Sequence, residues 1–194
     1  MGCGIALSCR ADLGTSPISS VPWVLSLFTP FSVGVTTIVM NILFIAVQPV
    51  ILKAVYWREL IGQFVTLLFF GSGIDLCMDL LSWYNPETLW TKWAGCLLST
   101  VILAFGIFLC VRAKIFVAAG EGVVLAVSFA SKKKFGLIKN CFDITLVIIS
   151  LIISFAEFGE MRGVGIGTIA AAILVGRFVQ LLDSRLTFFN KWKV

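Results

Sequence analysis

The residues that could carry chemistry in this chain are a few ionisable side chains inside long apolar runs. Glu121 lies in the segment Ala-Ala-Gly-Glu-Gly, Asp143 lies in an apolar run over 137–155, and Arg177 lies in another over 164–182. Charges inside a membrane domain usually face the bundle interior or a water-filled cavity. We therefore expect Glu121 to face a polar path, with helix capping as the alternative. Asp143 and Arg177 fall at similar depth on antiparallel runs, so we expect an ion pair that is either a structural clamp or a gate.

A second group of candidate polar residues lies near the ends of the other apolar runs. Asp75 follows Gly-Ser-Gly-Ile, and its expected neighbours on the same side are Arg10, Thr15, Ser16 and Asn41; Arg112 completes the candidate path. An ordinary interfacial position is the alternative for Arg10. The starts of two short apolar runs are marked by Gly14, Pro17, Gly120 and Gly122.

The chain contains no histidine, which removes the usual general base and the commonest metal ligand. Its six cysteines lack CxxC spacing and lie mostly in apolar segments, as helix-packing residues do. The glycines of Gly165-Ile166-Gly167-Thr168 lack the strand and the lysine of a phosphate-binding loop, and they suit close helix packing instead. We expect no catalytic residues, no metal, no cofactor and no enzymatic activity.

The composition indicates an integral membrane protein. Of the 194 residues, 59% are hydrophobic and 13% are charged, and the mean hydropathy is +1.05. A soluble core does not need that much apolar surface. The net charge of +5 comes from residues in short loops between apolar runs, so it indicates membrane topology rather than a nucleic-acid partner.

The apolar runs predict an all-α polytopic transmembrane helical bundle forming a single membrane domain over 1–194. Long runs cover 33–52, 60–82, 93–111, 137–155 and 164–182, and a short first helix covers about 2–9. Two further runs, 16–28 and 117–130, are too short to cross a hydrocarbon core of about 30 Å. We predict that these two are re-entrant helices.

An internal repeat relates the two halves of the chain, 1–84 and 93–185. Shifting the sequence by 102 positions places Gly4 on Gly106, Arg10 on Arg112, and Gly34 on Gly136. Each half reads long helix, short helix, long helix, long helix. The first helix is about ten residues shorter than its counterpart, so we expect that added apolar residues before it would stabilise the protein.

The distribution of basic residues predicts the topology. With re-entrant short helices, eleven Lys and Arg residues fall on one side and three, Arg10, Lys92 and Arg162, on the other, with Arg177 inside a helix. Short cytoplasmic loops carry the excess of basic residues, so the first side and the C-terminus are predicted to be cytoplasmic. Three crossings in each half is an odd number, which predicts two inverted repeats.

Three motifs resemble one known group of bacterial proteins. They are Leu13-Gly14-Thr15-Ser16-Pro17-Ile18-Ser19-Ser20-Val21-Pro22-Trp23, Gly120-Glu121-Gly122-Val123-Val124-Leu125-Ala126 and Phe142-Asp143-Ile144-Thr145-Leu146-Val147-Ile148-Ile149. Together they resemble the YczE/YyaS/YitT family of membrane proteins, and the YczE-like branch most closely. The resemblance implies a multi-pass protein of the bacterial inner membrane and little biochemistry. The chain departs from the family pattern at the short first helix, at Ala119 and at Arg177.

These observations favour a small-solute transporter or permease-like protein. The alternatives are a non-transporting accessory subunit or assembly partner, and the substrate-binding subunit of a larger importer. The expected partners are the lipid bilayer and a small-molecule solute, with no nucleic acid. A homo-oligomer or a complex with another membrane protein stays open.

Overall fold

The computed structural model describes residues 1–113 and 118–185. It describes only the main chain of residues 111–113 and of several residues in the last helix. Within these ranges the chain forms eight α-helices and no strand. The helices are α1 (Gly2–Ala11), α2 (Pro17–Phe28), α3 (Val33–Leu52), α4 (Trp57–Leu80), α5 (Leu89–Ala113), α6 (Ala119–Ser131), α7 (Phe135–Phe158) and α8 (Ile166–Arg185). Each predicted apolar run is confirmed as a helix, within a few residues at either end.

Within the described part of the chain, four helices are long and apolar enough to cross a membrane: α3, α4, α7 and residues Leu89–Cys110 of α5. At about 1.5 Å per residue, a helix of 20 residues spans roughly 30 Å, the thickness of a hydrocarbon core. This indicates an integral membrane protein. By the same measure α1, with 10 residues, and α2 and α6, with 12 and 13, are too short to cross. The crossing predicted over 164–182 stays a prediction, because several side chains of this segment lie outside the described residues.

Local sequence explains where several helices begin and end. Pro17 is the first residue of α2, a position where its missing N–H costs nothing. The Ser32 hydroxyl accepts a hydrogen bond from the Val35 N–H at 3.2 Å and caps α3. Gly159 ends α7 in the left-handed region at φ 69°, and its N–H bonds the Phe155 carbonyl at 3.1 Å.

Helix α1 lies at the centre of the bundle, packed between α4 and α5. Its residues Ile5 and Cys9 form a buried core with Val33, Ile74 and Leu103. Around this centre α3 packs on α4 and α6, α2 packs on α3 and α7, α8 packs on α5, and α6 packs on α7. The shortest apolar helix is thus also one of the most buried.

The outer faces of the long helices are apolar. Only 17% of the most apolar window is buried in α3, and the same share in α7. Aromatic residues, among them Tyr56, Trp57, Trp83 and Trp90, are exposed near helix ends or lie in the adjoining loops, as they do at membrane interfaces. Helices of this kind present their exposed side chains to lipid.

The loop before α2 meets the segment that leads from α7 into the first turn of α8, through main-chain atoms at one end of the bundle. The Gly167 N–H bonds the Leu13 carbonyl at 2.8 Å, and the Thr15 N–H bonds the Gly163 carbonyl at 3.4 Å. Gly14 adopts φ 107°, and a Cβ there would lie 2.6 Å from the Gly165 nitrogen. The glycines after α7 therefore permit close packing, here against the Leu13–Thr15 loop rather than against the face of another helix.

Candidate functional site

A cavity of about 400 Å³ lies between the end of α3, the start of α4 and one face of α6. This volume lies within the range of about 300–1,000 Å³ that is typical of ligand pockets. The walls are formed by Pro49, Leu52, Ala54, Leu60, Gly122, Leu125, Ala126 and Phe129, and the polar lining residues are Gln48, Tyr56, Glu59 and Gln63. An apolar cavity with a few polar groups can orient a small organic molecule.

A buried pair of amides joins α3 to α4 at this cavity. The Gln48 Nε2 donates to the Gln63 Oε1 at 2.9 Å, and the Gln63 Nε2 donates to the Gln48 Oε1 at 3.2 Å. The Gln48 Nε2 also donates to the Ala119 carbonyl at 3.2 Å, which ties the pair to the start of α6. Both side chains are 6% exposed, so each needs partners within the protein. One Gln63 N–H and one lone pair on each amide oxygen are left for another partner.

Gly122 allows α6 to approach this pair closely. A Cβ at Gly122 would lie 2.8 Å from both the Oε1 and the Nε2 of Gln48, closer than real Cβ atoms come to such atoms. Gly120, two residues earlier, packs on the side chain of Ile18 in the same way. The two predicted glycines therefore set the distances from α6 to α3 and to α2.

The start of α4 supplies the remaining polar lining. Tyr56 precedes the helix, and its carbonyl accepts the Glu59 N–H at 3.0 Å and the Leu60 N–H at 3.1 Å. Tyr56 and Glu59 are both exposed. Glu59 is the only charged residue among the described residues that line the cavity.

Glu121 lies in the first turn of α6, where a carboxylate favours the helix N-terminus. It is half-buried, and none of the described side chains forms a hydrogen bond or ion pair with it. It does not line the cavity, although its neighbour Gly122 does. Its predicted place on a polar path stays a prediction.

Asp75 joins α4 to the start of α3. Its Oδ2 accepts the Ser32 hydroxyl at 2.6 Å, and its Oδ1 accepts the Gly34 N–H at 2.7 Å. The carboxylate thus lies at the N-terminus of α3, where the helix dipole favours negative charge. None of its expected neighbours Arg10, Thr15, Ser16 and Asn41 is hydrogen-bonded to it. The position corresponds to an interhelical cap.

The remaining second-half candidates, and Asn41 of the first half, are not brought together among the described residues. Asp143 accepts a hydrogen bond from the Lys139 Nζ at 2.6 Å, one turn away on the same helix. The side chains of Arg177 and Arg112 lie outside the described residues, so the predicted pair of Asp143 with Arg177 stays a prediction. Asn41 in α3 donates to the Thr37 carbonyl at 2.8 Å, within its own helix.

The first-half candidates lie around the junction of α1 and α2. The Arg10 Nη2 donates to the Met78 carbonyl at 3.1 Å, near the end of α4, while its Nε is buried without a partner. Thr15 is fully buried and its hydroxyl is also unpartnered. Ser16 donates to the Ser19 hydroxyl at 3.0 Å, and Pro17 begins α2. This region is closely packed around polar groups.

The amide pair is the feature of the candidate site that sequence reasoning missed. Gln48 and Gln63 carry no charge, so they do not interrupt the apolar runs on which the candidates were chosen. The sequence did contain a signal for this pair, because each of two successive apolar helices carries one glutamine. A buried amide needs a hydrogen-bond partner, so the two glutamines were candidates to bind each other.

A family model described as "Family of unknown function (DUF6198)" matches residues 1–184 of the chain. No curated protein matches the sequence. No solved structure matches it either.

Proposed function

We propose that this protein is a small-solute permease of a cell membrane, built from two inverted repeats. The chain belongs to the DUF6198 family, whose description names no activity. The proposal therefore rests on the geometry of the bundle. The YczE-like assignment and a bacterial inner-membrane location are part of this proposal and rest on the three motifs given above. No catalytic reaction, cofactor or nucleic-acid partner is proposed.

The crossing of α1 and α5 supports the repeat. A Cβ at Gly4 would lie 2.9 Å from the Leu103 nitrogen, and a Cβ at Gly106 would lie 2.7 Å from the Met1 nitrogen. The shift of 102 positions places Gly4 on Gly106 and Met1 on Leu103. Under this shift the two close approaches are equivalent, which a two-fold axis through the crossing would require.

Three pairs of helix neighbours follow the same relation, whereas the packing of α3 on α4 has no α7–α8 counterpart of similar extent among the described residues. Packing of α3 on α6 corresponds to α7 on α2, packing of α1 on α4 corresponds to α5 on α8, and packing of α2 on α3 corresponds to α6 on α7. In this proposal α1 is the third crossing of the first half and α8 that of the second, although α1 with its 10 residues does not span the core by itself. Three crossings in each half would place the two-fold axis in the membrane plane. The short helices α2 and α6 would then enter from opposite sides as re-entrant helices, close to the centre of the bundle.

The observation that carries the proposal is a cavity in one half whose equivalent in the other half is filled. The shift of 102 places Gln48 on Ser150 and Leu125 on Trp23. A Cβ at Gly163 would lie 2.7 Å from the Trp23 Cδ1, so the loop after α7 closes on that tryptophan. Ser150 is fully buried, and its hydroxyl has no partner. One open and one closed copy of the same site is what an alternating-access permease presents in either of its end states.

Under the predicted topology the open cavity faces the cytoplasm. In the opposite state α2 would move away from Gly163, exposing Ser150 to the outside, while α6 would close on Gln48 and Gln63. The rigid centre for this exchange would be the crossing of α1 and α5. The two states differ in which short helix is packed against its neighbours.

Cysteine accessibility in intact cells tests this proposal, with the six native cysteines replaced by serine. Lys133→Cys should be protected from an impermeant external maleimide, and Glu157→Cys should react. Ser150→Cys should react slowly from outside, at a rate that changes when a transported solute is present. External reaction at 133 with protection at 157 would reverse the predicted orientation, and external reaction of Lys53→Cys with protection at 133 would remove the inverted topology. A Ser150→Cys thiol that never reacts, in a protein that folds, would remove the alternation.

A second candidate is a non-transporting accessory subunit or assembly partner, or the substrate-binding subunit of a larger importer. The wide apolar faces of α3 and α7 favour it, since they could pack on another membrane protein. Purification in mild detergent separates the candidates. A stoichiometric partner, together with no solute flux in proteoliposomes, would favour the second.

A further inference from the structure

We infer that the cavity between α3, α4 and α6 binds a small organic cation with a second polar group, such as an amino alcohol. Its ammonium group would lie at Glu59 and its hydroxyl at the Gln48–Gln63 pair. This inference rests on the proposed function, in that it identifies the substrate class of the open site.

Charge selects the sign of the ligand. Glu59 is the single charged group among the described residues that line the cavity, and it carries a negative charge. The nearby basic residues Lys53 and Arg58 are exposed and do not line the cavity. A carboxylate ligand would be repelled by Glu59, while an ammonium would be attracted to it.

Aromatic rings reinforce this preference. Tyr56 lies three residues before Glu59 at the same end of α4, and Phe129 lies on the facing wall of α6. The face of an aromatic ring attracts a cation. The mouth of the cavity therefore combines one carboxylate with two rings.

Spacing determines the second polar group. Glu59 and Gln63 are four residues apart on α4, so they share one helix face with roughly 5–6 Å between their Cβ atoms. The amide of Gln63 has one N–H that its pairing with Gln48 leaves free. A molecule with an ammonium at one end and a hydroxyl at the other would bind both groups, with its methylenes against Leu60 and Leu125.

Binding of three length-matched probes to the purified protein tests the inference: 6-amino-1-hexanol, hexane-1,6-diol and 6-hydroxyhexanoate. We expect the amino alcohol to bind at least tenfold more tightly than the other two. Glu59→Gln should remove that difference and leave the affinity for the diol unchanged. Glu87→Gln, an exposed acid outside this cavity, is the matched control and should change nothing. Gln63→Leu should weaken both the amino alcohol and the diol.

Equal affinities for the three probes, or a Glu59→Gln variant that folds and binds the amino alcohol normally, would overturn the inference. Flux in proteoliposomes separates its failure from that of the permease. Selective binding of the amino alcohol without flux would reject the permease function and support the cation site. Flux without a preference for the cation would support the permease function and reject the cation site. Competition by phosphatidylethanolamine in nanodiscs, absent with phosphatidylcholine, would identify a lipid headgroup as the source of the ammonium.

Discussion

The cap that Asp75 forms on α3 permits a direct separation of structural and functional roles. Replacing Asp75 by alanine removes two hydrogen bonds to a charged acceptor, from the Ser32 hydroxyl at 2.6 Å and the Gly34 N–H at 2.7 Å. Such bonds contribute about 1.5–3 kcal/mol each, and a charge at a helix N-terminus about 0.3–1 kcal/mol. Because the site is half-buried, we expect a loss of about 2–4 kcal/mol.

Thermal unfolding in detergent, followed by tryptophan fluorescence, measures this loss. For a chain of this length it corresponds to a Tm lower by roughly 4–16 °C. Asp75→Asn should cost less, about 1 kcal/mol, because its amide oxygen can still accept the Gly34 N–H and its NH2 can donate to Ser32. Asp79→Ala is the control, since Asp79 is exposed one turn further along the same helix.

Two results would refute this reasoning. If Asp75→Ala unfolds at the temperature of Asp79→Ala, the carboxylate does not hold the two helices together. If Asp75→Asn is as unstable as Asp75→Ala, the negative charge itself is required rather than the hydrogen bonds. Loss of solute flux in a variant of normal stability would return Asp75 to the polar path.

Three further predictions concern other parts of the bundle. Gly106→Ala should lower the free energy of unfolding by about 1–3 kcal/mol, because its Cβ would meet Met1 at 2.6 Å. Gly73→Ala, whose Cβ would have no atom within 4 Å, is the control and should change the free energy of unfolding by less than about 1 kcal/mol. Equal Tm values for the two variants would contradict the close crossing of α1 and α5. Glu121→Gln should reduce flux and leave Tm unchanged, and a variant that fails to fold would show that the carboxylate is structural. Asp143→Asn and Arg177→Gln should each destabilise while the double variant recovers much of the loss; a coupling energy below about 0.5 kcal/mol would remove the pair.

The helices could be predicted from the sequence because their signal is local. The run 33–52 is the helix Val33–Leu52, and α2 begins where Pro17 stands next to Ser16. Long apolar stretches and helix-start residues act within one or two turns. The pattern of long and short helices therefore followed without knowledge of any contact.

The partners of polar residues could not be predicted in the same way. Asp75 was expected near Arg10, yet it binds Ser32 and Gly34, which are more than 40 positions away in the chain. Which helices pack together decides such pairs, and apolar runs in lipid carry little information about their neighbours. The serine that caps α3 was a usable signal, because a helix N-terminus at an interface favours a nearby carboxylate.

The contact between the Leu13–Thr15 loop and the loop after α7 has a consequence for sequence divergence. The groups that meet there are the Leu13 carbonyl and the main chain of Gly165 and Gly167, where an added Cβ would lie 2.6 Å from that oxygen. No side chain of Leu13 takes part in the hydrogen bond, so many residues can replace it. The two glycines cannot be replaced without separating the loops. A saturation mutagenesis experiment should therefore find that substitutions are tolerated at Leu13 and not at Gly165 or Gly167, however hydrophobic the substituted residue is.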